Sequence, residues 1–228
     1  MKKMKTLMMA MVAMATMTFT FTSCDDDPWD EPWNGNHWGE NWGDDRGDNN
    51  QTTTSDEADA LCGEWYGPMK FTYKNDNGGY DVSEFYADMR FSRYNANSVN
   101  GAGTEIDYTY NTDGSVADSQ TLTFTWEILS NYDIQITYDN GGTYVLDANA
   151  SQKGFSLGYD EKSKKNVFSG YMIGSGDIQG NEIAFDFEAV TQSGTRAVGT
   201  SAVKKAFGIN EGTPSINVVA GGKLSGKR

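Results

Sequence analysis

"TLTFTWEILSNYDIQITYDNGGTYVLDA", residues 121–148, is the stretch that decides the fold. Leu122, Phe124, Trp126 and Ile128 alternate with Thr121, Thr123, Thr125 and Glu127. A strand with that period of two puts its apolar side chains on one face and its polar ones on the other. Tyr132, Ile134, Ile136 and Tyr138 repeat the rhythm, and "DNGG" at 139–142 supplies residues able to take positive φ in a tight turn before Thr143–Ala148. One buried face, one wet face and a tight turn between runs are the marks of antiparallel sheet.

Working outward, the same pattern extends on both sides. Upstream, "EWYGPMKFTYK" places Trp65, Met69, Phe71 and Tyr73 on one face, with Gly67 and Pro68 suggesting a bulge or bend. "NDNGG" is a turn, and "EFYADMRFSRY" and "TEIDYTY" are further strands separated by the polar loop Asn95–Gly103. Downstream, "GFSLGY", "NVFSGYMIG" and "EIAFDFEAV" continue the series. No crossover helix intervenes, so the expected fold is all-β, an antiparallel up-and-down meander. Eight or nine short strands within about 130 residues remove their exposed edges most economically by closing into a barrel of about eight strands.

Leu61, Gly63 and Trp65 in "LCGEWYG", with the later "TWEILSNYDIQITYDNG" and "FSGYMI", resemble the strands of lipocalin-like domains in Bacteroidota lipoproteins. The resemblance covers roughly residues 61–190. It implies a barrel with one open end, in which Gly63 permits close approach at the closed end and Trp65 plugs it. Leu61, Gly63, Trp65 and Trp126 are then structural. A cavity at the mouth would be lined by some of Tyr86, Tyr108, Tyr110, Tyr144, Phe155 and Tyr171, for a small apolar or aromatic ligand.

The flanks fix an address. Lys2, Lys3 and Lys5 precede an uncharged stretch from Thr6 to Ser23, the layout of a secretory signal over residues 1–23. That stretch is short and Thr-rich for a membrane span, which takes about 20 mainly apolar residues. Phe21, Thr22, Ser23 and Cys24 resemble the lipobox of bacterial lipoproteins, with Phe21 in place of the usual Leu. The resemblance implies that Cys24 becomes the first mature residue and carries acyl chains, palmitate among them, which hold the protein to a membrane. Two or more chains anchor firmly where one is marginal. Asp25, Asp26 and Asp27 are similar to the acidic export signal of Bacteroidota surface lipoproteins, and the acid continues through Asp30 and Glu31. That implies the outer membrane and the cell surface; an enterobacterial rule would instead retain the chain in the inner membrane, and a solvated acidic linker is the plain alternative.

Residues 24–59 read as a tether rich in Trp, Gly, Asn and Asp, with Trp29, Trp33, Trp38 and Trp42 spaced four or five apart. Exposed indoles stack on sugar faces or dip into an interface; equally, such rings pack loosely on a neighbouring domain. Residues 60–191 are the barrel domain. Residues 192–228 form a basic tail expected to be mostly mobile, with a short helix over "SAVKKAF".

Charge and composition exclude several classes. Removing the three leader lysines takes the formal charge from −14 to −17 over the remaining 205 residues, a surface that repels phosphate backbones, so nucleic acid is not an expected partner. With Cys24 assigned to lipid, Cys62 has no disulfide partner in the chain, and with His37 as the one histidine no zinc cluster of nitrogen and sulfur ligands assembles. "GSGDIQG" at 174–180 lacks the following Lys and helix of a phosphate cradle. Carboxylates such as Glu84, Asp107, Asp133, Asp186 and Glu188 are expected on the wet face of the strands, no serine sits in a nucleophile elbow, and neither an enzyme nor a cofactor is indicated. Two functions remain: a lipid-anchored envelope module that binds a small apolar ligand inside its barrel, or an envelope interaction protein with a filled barrel that meets a partner protein or glycan through its surface or tether.

Overall fold

A computed structural model describes residues 52–139, 141–190, 207–208 and 214–224. The leader, Cys24, the acidic run and the four tether tryptophans lie outside the described residues, as does the "SAVKKAF" segment apart from Phe207.

Among the described residues, the helix α1 (Thr54–Leu61) precedes the strands β1 (Gly63–Lys74), β2 (Tyr80–Arg93), β3 (Asn100–Tyr110), β4 (Val116–Ile128), β5 (Ile134–Tyr138), β6 (Thr143–Leu146), β7 (Phe155–Asp160), β8 (Lys165–Gly174), β9 (Glu182–Ala189) and β10 (Phe207–Gly208). Every strand pairing is antiparallel. The strands β1 to β6 pair in succession, β6 pairs β8, β8 pairs β9, and β9 returns to β1, so eight strands close into a barrel. Between β6 and β8, the strand β7 lies on the same edge of β8 as β6 does: β6 pairs with Ile173 and Gly174, while β7 pairs with Lys165 to Gly170. A composite β6–β7 edge thus stands where a simple meander has one strand, and β10 adds to the free side of β7.

Inside, the alternation set by the sequence is obeyed along β2, β4 and β5. Phe85, Met89 and Phe91, then Leu122, Phe124, Trp126 and Ile128, then Ile134, Ile136 and Tyr138 are buried. Phe168 on β8 meets Trp65, Phe155, Phe185 and Phe91, the last across the barrel at 6.2 Å between ring centroids. Rings at these tilted and edge-on angles contribute roughly 0.5–1.5 kcal/mol per pair beyond the area they bury.

Gly67 and Pro68 make no bulge against β2, whose register with β1 is unbroken from Gly63 to Lys74. The lapse falls on the other side, where β1–β9 pairing skips these two residues, which is where proline lacks a donor to give. Gly67 also brings β1 close to β9: a side-chain carbon there would lie 2.0 Å from the Asp186 carbonyl oxygen.

α1 covers the end of the barrel at which β1 begins. Thr53 caps it, its hydroxyl accepting from the Asp56 amide while the Asp56 carboxylate accepts from the Thr53 amide. Ala58 and Leu61 are fully buried, and the Trp65 indole donates to the Leu61 carbonyl at 2.8 Å. Trp65 is thus buried beneath α1 at this end. Gly63 makes no close approach there: nothing lies within 4 Å of where its side chain would be, and its φ of +139°, which suits only glycine, explains it instead.

At the opposite end lies part of the tail. The Ser83 hydroxyl donates to the Lys223 carbonyl at 2.6 Å, the Gly221 amide donates to the Tyr110 carbonyl at 2.8 Å, and Leu224 packs against the core. Residues 207–208 and 214–224 are therefore docked on the barrel rather than loose.

Candidate binding surface

β3 carries the least expected side chains of the barrel. Its inward residues are Gly101, Glu105, Asp107 and Thr109, all buried, with Gly103 on the same face; its outward ones include Ile106, Tyr108 and Tyr110. Asp107, expected on the wet face, therefore lies inside. Its neighbours impose this arrangement. Residues directly opposite in a sheet share a face, and β3 is held between Met89 on β2 and Leu122 on β4, both inward and both opposite Glu105. The glycines are the other half of the reason: a side-chain carbon at Gly103 would fall 2.2 Å from the Phe124 ring, and one at Gly101 would fall 2.8 Å from the Trp126 indole nitrogen.

The inward acids are partnered. Tyr138 donates its hydroxyl to Glu105, and Gln120 donates its amide to Asp107 at 2.7 Å. Burial pushes the Asp107 carboxyl up to about 7, with the Gln120 amide acting in the opposite direction.

Of the six side chains expected at a barrel mouth, Tyr144 and Phe155 do point inward, fully packed: Tyr144 lies edge-on to Tyr138 at 5.9 Å and Phe155 edge-on to Phe168 at 6.3 Å. Tyr86, Tyr108, Tyr110 and Tyr171 are on the outer face, because each alternates with an inward neighbour such as Phe85, Asp107, Thr109 or Met172. Tyr171 stands apart from the rest, with the Lys153 ammonium 5.9 Å from its ring centre.

The other three converge with Tyr66, which is not among the six residues expected at a barrel mouth. Tyr66 stacks on Tyr86 at 5.7 Å, Tyr86 meets Tyr110 edge-on at 5.7 Å, and Tyr108 stacks on Tyr110 at 6.4 Å. The Tyr66 and Tyr110 hydroxyls are 3.3 Å apart. Four rings from β1, β2 and β3 thus form one aromatic platform outside the barrel, with Tyr66 its most exposed member at 38%. The signal was present: Tyr66 occupies the wet phase of β1, and three more tyrosines occupy the wet phases of the next two strands.

Carboxylates border the platform. Asp88 lies opposite Tyr66 on β2, and Glu188 lies opposite it on β9. Glu64 is bonded by Arg90 at 2.6 Å, and Glu188 by Lys165 at 2.5 Å. Burial and then the nearby Glu64 push Asp88 up to about 6, while Arg90 pulls it down. Partial burial also raises the Tyr66 and Tyr108 hydroxyls above their ordinary range, with Tyr110 adding to the first and Asp88 to the second. Tyr66 and Tyr108 therefore present neutral hydroxyl groups, each able to donate and to accept, beside the carboxylates. Among the described residues no group of three or more His, Cys, Asp or Glu side chains is placed to hold a metal ion. No protein family, curated protein or solved structure matches this chain.

Proposed function

We propose that this chain is a lipid-anchored envelope protein, acylated at Cys24 and displayed at the outer membrane, whose barrel is a rigid scaffold and whose outer tyrosine platform binds a neutral glycan. The observation that carries the glycan is the four-ring platform Tyr66, Tyr86, Tyr108 and Tyr110 with carboxylates at its border. Pyranose rings offer apolar CH faces to aromatic rings and hydroxyl groups to carboxylate and phenol oxygens, so both components of the surface find a complement on one molecule. The net charge of −17 left once the leader is removed disfavours sulfated or uronic polymers, which leaves neutral sugars. Placing recognition outside also accounts for an interior given over to ring packing, where a small apolar ligand would have to displace side chains such as Phe168 and Tyr144.

The test is retention of the full-length chain on gels containing neutral polysaccharides. The wild-type protein should be retarded by at least one of them, and Tyr66→Ala and Tyr108→Ala should each reduce that retardation by about tenfold in apparent affinity. Equal migration of wild type and both variants on every polysaccharide, together with saturable uptake of an apolar probe, would reverse the assignment in favour of the barrel interior. The anchor has its own test: Cys24→Ala should release the protein from the membrane fraction, and a processed variant that stays membrane-bound would refute acylation there.

A further inference from the structure

A second feature of the outer face lies on the other side of β3 from the platform. Between the start of β3, the end of β4 and the strand β5 is a cleft of about 230 Å³ bordered by Tyr94, Asn100, Thr125, Glu127, Gln135 and Thr137. Gly101 and Trp126 complete its lining, the Trp126 ring itself being turned into the core with its indole N–H directed to the Ser92 and Ala102 carbonyls at 3.2 and 3.3 Å. Tyr94 stands over it with 59% of its surface exposed, and its ring packs on no other aromatic ring among the described residues.

The polar groups of the cleft are aligned by the sheet. Asn100, Glu127 and Gln135 are direct neighbours across β3, β4 and β5, and Thr125 and Thr137 are direct neighbours in the next row. Thr137 shares a bond with Thr143 at 3.0 Å. The side chains of Asn100, Thr125, Glu127 and Gln135 make no hydrogen bond within the protein among the described residues. One carboxylate, two amides and a hydroxyl are thus held in fixed register around a recess with a free aromatic ring at its edge.

We infer that this cleft is a subsite for a single neutral pyranose unit, Tyr94 stacking on its CH face while Glu127, Gln135 and Asn100 bond its hydroxyls. The groups fit that chemistry in kind and in number. A carboxylate accepts from two vicinal hydroxyls, and each amide both donates and accepts, which a hydroxyl requires of its partner. The recess is smaller than the roughly 300–1,000 Å³ of typical drug-sized pockets, a size suited to one sugar ring rather than a larger apolar compound. A sugar here extends the glycan function proposed above, on which this inference rests for its biological sense but not for its geometry.

The experiment is a titration of the ¹⁵N-labelled full-length chain with methyl glycosides of glucose, galactose, mannose and N-acetylglucosamine, read at the Gln135 and Asn100 side-chain amides. At least one glycoside should shift these signals saturably. Tyr94→Ala should weaken the response at least tenfold, and Glu127→Gln should weaken it while leaving the spectrum of the barrel intact. Tyr66→Ala should leave it unchanged. If no glycoside moves these signals, or if Tyr94→Ala responds as the wild type does, the subsite is refuted, whatever the platform does on polysaccharide gels. Retained shifts here with no loss of gel retardation in Tyr66→Ala would instead remove the platform and leave the cleft standing.

Discussion

The two faces of the barrel wall use the same kind of side chain to different ends. Inside, aromatic rings are locked by one another: Phe91 touches Phe124, Trp126 and Phe168, and all four are buried. Outside, Tyr66, Tyr86, Tyr108 and Tyr110 also touch, yet they keep a face or an edge to water and their hydroxyls among charged neighbours. A ring that lends stability is surrounded; a ring that serves recognition is supported from one side only. The contrast teaches that aromatic content alone does not locate a ligand, since an interior ring is already satisfied by its packing.

That contrast can be broken most forcefully from within. Trp65→Ala should destabilise the fold by about 3–5 kcal/mol, because it removes a buried ring, empties the α1 end of the barrel and deletes the bond to the Leu61 carbonyl. Denaturant unfolding measures it, and a loss below about 1 kcal/mol would mean that this end is not closed by Trp65.

Next in size is a pH effect from the polar part of the interior. Asp107 keeps its proton in the folded state up to about 7, against about 4 in an unfolded chain. Its contribution is therefore fully present below about 4 and is lost as pH rises towards 7, a loss on the order of a few kcal/mol. Asp107→Asn should flatten the difference in stability between pH 4 and pH 7 and be the more stable protein at pH 8. An unchanged slope in the variant would place the Asp107 side chain in contact with water.

A smaller effect tests why β3 faces as it does. Gly103→Ala should cost roughly 1–3 kcal/mol, since its methyl group meets the Phe124 ring and the Arg90 carbonyl at distances that force one of them to move. Smallest of all should be Tyr66→Ala, which removes one cross-strand pair on a wet face at about 0.2–1 kcal/mol while weakening glycan binding. The inverse result, large destabilisation with unchanged binding, would make the platform a structural ladder.

The barrel was legible in the sequence because most strands separate apolar from polar side chains cleanly. In β4, four apolar residues alternate with three threonines and a glutamate, and all four are buried. β3 was misleading for a physical reason. Hydropathy alone assigns Ile106, Tyr108 and Tyr110 to the core, but the rings of Phe124 and Trp126 need the space that Gly101 and Gly103 leave, and this fixes the opposite face. The same register carries Tyr108 and Tyr110 outward, so the candidate residues moved from a barrel mouth to a surface. The docked tail was illegible because it bonds through backbone groups, such as the Gly221 amide and the Lys223 carbonyl, which leave no side-chain pattern. The composite β6–β7 edge likewise depends on where two short strands meet β8, which periodicity does not encode.

The central claim, that recognition belongs to the outer face, is tested most directly by following both sets of rings in one protein. In aromatic NMR spectra of the full-length chain, a neutral oligosaccharide that retards it on gels should shift the ring signals of Tyr66, Tyr86, Tyr108 and Tyr110 and leave those of Phe91, Phe155 and Phe168 in place. Shifts confined to Phe91, Phe155 and Phe168 on addition of an apolar probe, with the outer tyrosines unmoved by every sugar, would contradict it and return the binding site to the interior of the barrel.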